Sequence, residues 1–343
     1  DISACLVGSE MCIRDRINPE EILLSHGANH SLKRILMGLL QPGEQVVLLD
    51  ISYIVHVKGL IAAGAQPIYI RVERKEMSDP LSLSWNIDAM LQAVERFKAK
   101  MLCISNPSNP LGEVLDATQF DSFIKTMRHI SPETYILVDT CFHLYGIAQG
   151  FQMPVYSNYV KDYRIIVTGS LSKEDGYAGA RAGFIYGHPS PIKHLRETFP
   201  QQHPISLLGA TTLSIARHPT LREHRLQTVQ RLCEENRRIQ HIIEQWRLHL
   251  GIEIRTRADM VASYSVLMFP THSVNEVIGW FKQYANIDLF SIQRFDDTRD
   301  IIFREPLHLI MGTPEPHLIR ISPGTPEQND YFLAKLKVFL QLA

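Results

Sequence analysis

Between Glu21 and Gly187 the chain repeats one arrangement: a short apolar run, then a stretch whose apolar positions recur every three or four residues. The runs EILLSH, QVVLLD, PIYIRV, MLCISN, YILVDT, RIIVTG and AGFIYG read as strands. Helices are expected around 28–40, 53–63, 87–97 and 116–128. Strands separated by helical stretches predict an α/β domain on a largely parallel sheet, with its ligand at the carboxyl ends of the strands. The last two runs follow each other with little helix between them, which predicts an antiparallel edge. After Pro204 come two more helical stretches, the second long and charged throughout, about 219–249, as suits a helix bridging two domains. The remainder, 252–343, carries strands near IEIRT, SYSVLMF and HLIRIS and helices near 274–285 and 327–341, the pattern of a small α+β domain.

The expected division is therefore a large α/β domain at 17–218, an interdomain helix at 219–250 and a small domain at 251–343. Residues 1–16, DISACLVGSEMCIRDR, follow neither periodicity and stop abruptly before patterned sequence begins. They resemble translated sequencing-adaptor read-through, so they are set aside as one would a tag, with the native amino terminus expected to be missing.

Composition narrows the partners. With 35 basic and 36 acidic side chains the net charge is −1, which provides no global attraction to nucleic acid or an anionic membrane. No apolar run approaches the roughly 18 residues of a membrane helix, and no secretory head precedes the fold; the expected location is the cytoplasm. Five cysteines, an odd number, stand far apart with no CxxC pair, which speaks against a disulfide framework or a zinc site. Of the fifteen histidines, His26 and His30 are four apart but straddle a strand-to-helix turn, and no HExxH completes a set, so no metal is expected. Small molecules are the default ligands.

Four local sequences at predicted strand ends carry chemistry. Ser170-Leu171-Ser172-Lys173 is followed, eight residues after the lysine, by Arg181 within Gly179-Ala180-Arg181-Ala182-Gly183. A lysine amine can form a Schiff base with an aldehyde cofactor, and hydroxyls beside a fixed arginine make a phosphate cradle; alone, such a lysine is usually solvated surface. Asn106-Pro107-Ser108-Asn109-Pro110-Leu111-Gly112 forces a tight turn after a strand and presents an amide, though a plain loop explains it as well. Asp139 ends YILVD, where an ionised carboxylate needs a cation or donors. Gly27-Ala28-Asn29 is a strand-to-helix turn whose free N–H groups suit an anion.

In this order and spacing the motifs resemble the class I/II aminotransferase family of fold-type I pyridoxal-phosphate (PLP) enzymes. The resemblance spans about 18–343 and includes Gln41-Pro42-Gly43-Glu44, Tyr53 in DISY, NPSNPLG, VDTCF, SLSK with GARAG, and His317-Leu318-Ile319-Arg320-Ile321-Ser322. The ending, LIRISPGTPEQNDYFLAKLKVFL, is most similar to the histidinol-phosphate aminotransferase branch. The resemblance implies a large, mostly parallel seven-stranded sheet flanked by helices, a small α+β carboxy-terminal domain, and a homodimer.

It also implies roles. Lys173 holds the cofactor and moves a proton between the substrate Cα and the cofactor; Asp139 faces the pyridine nitrogen; Asn109 donates to the ring oxygen. Arg181, Ser170, Ser172, Gly27 and the N–H groups of Ala28 and Asn29 hold the phosphate. Tyr53 stacks on the ring, with packing in the core an equal alternative on general grounds. Arg320 binds the substrate's carboxylate or phosphate. The amino donor and a 2-oxo acid acceptor are the implied small-molecule partners. Phe142 departs from the pattern: the family usually has tyrosine here, donating to the ring oxygen, so Asn109 is left to act alone and the cofactor's imine pKa is expected to be perturbed. The segment RTRADMVASYS at 255–265 also departs from the histidinol-phosphate branch, which points to a remodelled pocket. The same residues serve PLP-dependent lyases, decarboxylases and cyclising enzymes, and a non-catalytic PLP-binding module is a further alternative.

Overall fold

The computed structural model describes residues 18–76, 79–162, 164–199, 205–215, 218–257, 260–294 and 313–342; the adaptor-like segment lies outside them. The main sheet contains β1 (Ile22–Ser25), β2 (Gln45–Leu49) and β3 (Gln66–Ile70); β4 (Glu73–Arg74) and β5 (Leu83–Ser84) form a separate hairpin. It continues through β6 (Met101–Ser105), β7 (Tyr135–Asp139), β8 (Ile165–Ser170) and β9 (Gly183–Gly187), in the order β1-β9-β8-β7-β6-β2-β3. All neighbours are parallel except β9, which runs against both β8 and β1. The antiparallel step therefore falls one strand inside the edge.

Helices α1 (Ala28–Leu39), α2 (Ile54–Ala62), α3 (Ile87–Phe97), α4 (Ala117–Ile130), α5 (His143–Ala148) and α6 (Pro189–Thr198) accompany these strands. Alternate residues of the central strands enter two different cores: Val47, Leu102, Ile136, Val138 and Val167 in one, Val46, Met101, Cys103, Leu137 and Ile166 in the other. Side chains alternate across a strand, and here both faces are covered, which is why these strands read as continuous apolar runs rather than as alternation. The α4 start is set by a capping box, Asp116 accepting from Gln119 N while Gln119 accepts from Asp116 N.

After α7 (Leu207–Ile215) comes α8, Pro219–Leu250, of 32 residues. Val229 and Cys233 pack into the main-sheet core, whereas Ile239 and Ile243 join the core of a second sheet. That sheet is antiparallel, β10 (Arg255–Thr256), β11 (Ser265–Met268), β12 (Phe290–Arg294) and β13 (Thr313–Ile321), in the order β10-β11-β13-β12. It is packed by α9 (Val274–Trp280) and α10 (Pro326–Phe339). The helix expected over 274–285 changes to a π turn at Phe281–Ala285. Among the described residues no helix is long and apolar enough to cross a membrane.

Candidate active site

The parallel strands all point the same way, so the segments after β2, β6, β7 and β8 emerge at one edge. Ser25, Gly183 and Ser170 are direct neighbours across β1, β9 and β8, which brings the Gly27-Ala28-Asn29 turn to the same place. Gly27 precedes α1 at φ 86°, a conformation that favours glycine. A Cβ there would stand 2.8 Å from the Arg181 guanidinium, and one on Gly183 would stand 2.6 Å from the Gly27 carbonyl carbon. Both glycines thus permit a close approach of Arg181 and the α1 amino terminus. Arg181 donates to His26 O (3.1 Å) and Ala178 O (2.9 Å). The N–H groups of Ala28 and Asn29 have no acceptor among the described residues. Two such donors at a helix start beside a fixed guanidinium have the chemistry to bind an anion such as a phosphate.

Asp139 ends β7 and is buried. One carboxylate oxygen accepts from Cys141 N (3.0 Å), and the other lies 3.7 Å from Nε2 of buried His56, a nitrogen with no hydrogen bond among the described residues. The Cys141 thiol reaches Ser170 Oγ at 3.7 Å, and Ser170 accepts from Ser172 N at 3.4 Å. Burial first, then Asp139, pushes the Cys141 thiol well up.

Tyr53 stands at the N-cap of α2 and donates to Asn29 Oδ1 (2.9 Å), which ties it to the start of α1. Burial, with Asp139 and Cys141 adding to it, pushes its hydroxyl up to about 12. His56, one turn further along α2, meets Tyr53 edge-on at 6.0 Å. Asn109 belongs to the turn after β6, where both Asn-Pro bonds are cis. Tyr53, Asn109 and Arg320 line one cavity of about 380 Å³, together with Phe290 and Lys58. Arg320, on β13, lies over the rings of Tyr264 (4.9 Å) and Phe290 (5.5 Å). Lys173 is solvent-accessible, yet desolvation of its amine first and the Arg320 cation second hold its pKa below the usual lysine value. Phe142 is buried, edge-on to Tyr145 and Tyr264.

The candidate site residues named from the sequence thus fall at this sheet edge or on β13, whereas Gln41-Pro42-Gly43-Glu44, just before β2, lie at the opposite edge. Four were not singled out for the site. His56 had a signal, since i, i+3 spacing from Tyr53 places both on one helix face. Cys141, Glu174 and Tyr264 had none beyond their position. His143 begins α5 and packs against Tyr156 at 5.5 Å; burial holds its pKa down to about 4.

A buried carboxylate, a lysine of lowered pKa, an amide and an anion cradle at the carboxyl ends of parallel strands define a fold-type I PLP enzyme. The chain belongs to the Aminotransferase class I and II family, whose profile matches residues 6–336, and it is a PLP-dependent aminotransferase acting on small molecules. That match begins inside the segment set aside as adaptor-like. The chain is similar to the histidinol-phosphate aminotransferase of Corynebacterium diphtheriae, 26% identical over 324 residues, covering 94% of this chain and 75% of that protein. Its fold is similar to that of a PLP-dependent aminotransferase from Streptococcus suis (TM-score 0.77, 19% identity, 99% and 82% of the two chains). A decarboxylase from Sulfurospirillum multivorans shares it too (TM-score 0.74, 19% identity, 94% and 82%).

Proposed function

We propose that the enzyme moves an amino group between an anionic amino donor, an amino acid or an amino-alcohol phosphate resembling histidinol phosphate, and a 2-oxo acid such as 2-oxoglutarate. The observation that carries this reading is Arg320: it faces the cavity shared with Tyr53 and Asn109 and has no acidic partner among the described residues. An unpaired guanidinium held between two rings is prepared for a carboxylate or phosphate. Relatives named for histidinol phosphate support the branch.

The cofactor's own contribution is an electron-withdrawing ring that stabilises negative charge at the substrate Cα. The N–H groups of Ala28 and Asn29 beside Arg181, which have no acceptor among the described residues, and the buried Asp139 carboxylate facing His56 support its fit here. Arg181, Ala28, Asn29, Ser170, Ser172 and Gly27 would hold the phosphate, and Tyr53 would cover the ring. Asp139, oriented by Cys141 N and backed by His56, would keep a proton on the pyridine nitrogen. Asn109 would donate to the ring oxygen. Lys173, its amine made less basic, would bind the aldehyde carbon and then carry the proton removed from Cα. We place the enzyme in the cytoplasm as a homodimer, on the family pattern.

The test is a visible absorption titration of the purified chain with PLP, beside Lys173→Ala, followed by a panel of amino donors that includes histidinol phosphate. A lysine-dependent band, a keto product and pyridoxamine phosphate are expected from one donor. Release of CO₂ or a β-substituent without keto product would reject transamination.

A further inference from the structure

Phe142 removes a hydroxyl that the family pattern directs at the cofactor's ring oxygen, and a different hydroxyl stands next to it. Tyr264 precedes β11, 122 positions along the chain, and its ring meets Phe142 edge-on at 5.6 Å and 85°. Its hydroxyl donates to Asn109 Oδ1 at 3.2 Å and lies 3.5 Å from Ser108 O. The residue is 2% exposed, and burial pushes its pKa up, with Asp139 in the same direction and Arg320 and Arg257 opposed; the hydroxyl is a donor at any working pH.

Several contacts hold Tyr264 in place. Arg320 stacks over its face. The segment before it is joined to the Asn-Pro turn by Val261 N to Gly112 O (2.9 Å) and by the buried Arg257–Glu113 pair. An asparagine amide can turn by 180°, and what it presents depends on which end is engaged. Here Oδ1 is engaged by Tyr264, and Nδ2 has no acceptor among the described residues.

We propose that Tyr264 is a positioning residue: by engaging Asn109 Oδ1 it directs the Asn109 N–H groups at the cofactor's ring oxygen, and so supplies through Asn109 the fixed donor that Phe142 lacks. This rests on the cofactor reading given above. It alters the expectation drawn from Phe142 alone, under which Phe142→Tyr would shift the cofactor's titration strongly.

The experiment is a double-mutant cycle on the PLP-loaded full chain: wild type, Phe142→Tyr, Tyr264→Phe and the double variant, read by the pH midpoint of the visible band. A donor to the ring oxygen favours its anionic form and lowers the midpoint, so its loss raises it. Tyr264→Phe should raise the midpoint by about 1 unit, and Phe142→Tyr should return it in the double variant while moving the wild type by less than about 0.3 unit. A Tyr264→Phe midpoint equal to wild type, or an equal effect of Phe142→Tyr in both backgrounds, overturns the proposal. If Tyr264→Phe does not fold by its thermal melt, Phe142→Tyr in the wild-type background decides: a drop of about 1 unit overturns it and a negligible one supports it. Absence of a band in the wild type itself refutes the cofactor reading and the proposal with it, whereas a normal wild-type band with either overturning result removes Tyr264 alone.

Discussion

Two acids follow Lys173, and their surroundings set them apart. Glu174 accepts a short hydrogen bond from Leu144 N at the start of α5. Burial pushes its carboxyl up to about 8, Asp175 and Asp139 adding to the rise, with the Leu144 N–H and Arg225 opposing. Cys141 and Tyr145 also feel its charge. Asp175 pairs with Arg225 of α8 at 2.8 Å, although burial still raises its pKa. Because the folded pKa of Glu174 exceeds its unfolded value near 4.5, the folded state keeps a proton that the unfolded chain releases. Stability from this group is complete below about pH 4.5 and is lost as pH rises towards 8. The difference in melting temperature, Glu174→Gln minus wild type, should therefore grow from pH 6 to pH 9; a difference independent of pH would refute the assignment. Arg320→Gln removes a cation that lowers the Lys173 pKa, so pH-dependent borohydride trapping of PLP on Lys173 should shift to higher pH. The same variant should lose about 100-fold in kcat/KM for an anionic donor, from roughly 3 kcal/mol of charged hydrogen bonding.

At the scale of elements, the turn from β1 into α1 depends on what is missing from two residues. Gly183→Ala places a methyl against the Gly27 backbone, and neither β9 nor the turn after β1 can yield without disturbing the sheet. It should destabilise the protein by about 2 kcal/mol in denaturant melts and weaken PLP binding at least tenfold, which a fluorescence titration would measure. All seven main strands were legible in the sequence, six of them because burial leaves a nearly unbroken apolar run and the half-buried edge strand β3 because its β-branched and aromatic residues, PIYI, stand together. The helix α6, PSPIKHLRET, was not, its apolar positions being few and interrupted by two prolines; both prolines fall in its first turn, where a missing N–H is tolerated, and His188 caps Ser190 N. The six residues of α5 are too few for periodicity to register, and the Glu174 carboxyl at their start comes from 30 residues away. β12 was likewise missed, since its pairing with β13 is a long-range event.

Across the whole molecule, the candidate site joins the edge of one sheet to the face of another. Glu113, just after the Asn-Pro turn, binds Arg257, accepts from Ser84 Oγ at 3.0 Å and pairs with Lys75 at 2.9 Å. Glu113→Gln leaves the buried Arg257 charge without its carboxylate and should cost about 3 kcal/mol in denaturant melts, most of it recovered in Glu113→Gln/Arg257→Met. No recovery in the double variant would mean that shape, rather than charge, dominates there. The sequence by itself determined the seven main strands, the helices between the first five of them and the residues at the strand ends, Lys173, Asp139, Asn109 and the Gly27 turn, because periodicity, turn chemistry and strand termination act over a few neighbours. Only the tertiary structure decided that His56 backs Asp139, that Glu174 reaches α5, and that Tyr264 engages an amide 155 positions before it. Those pairings are set by how sheets and helices pack, and nothing in the local pattern of either partner records the other.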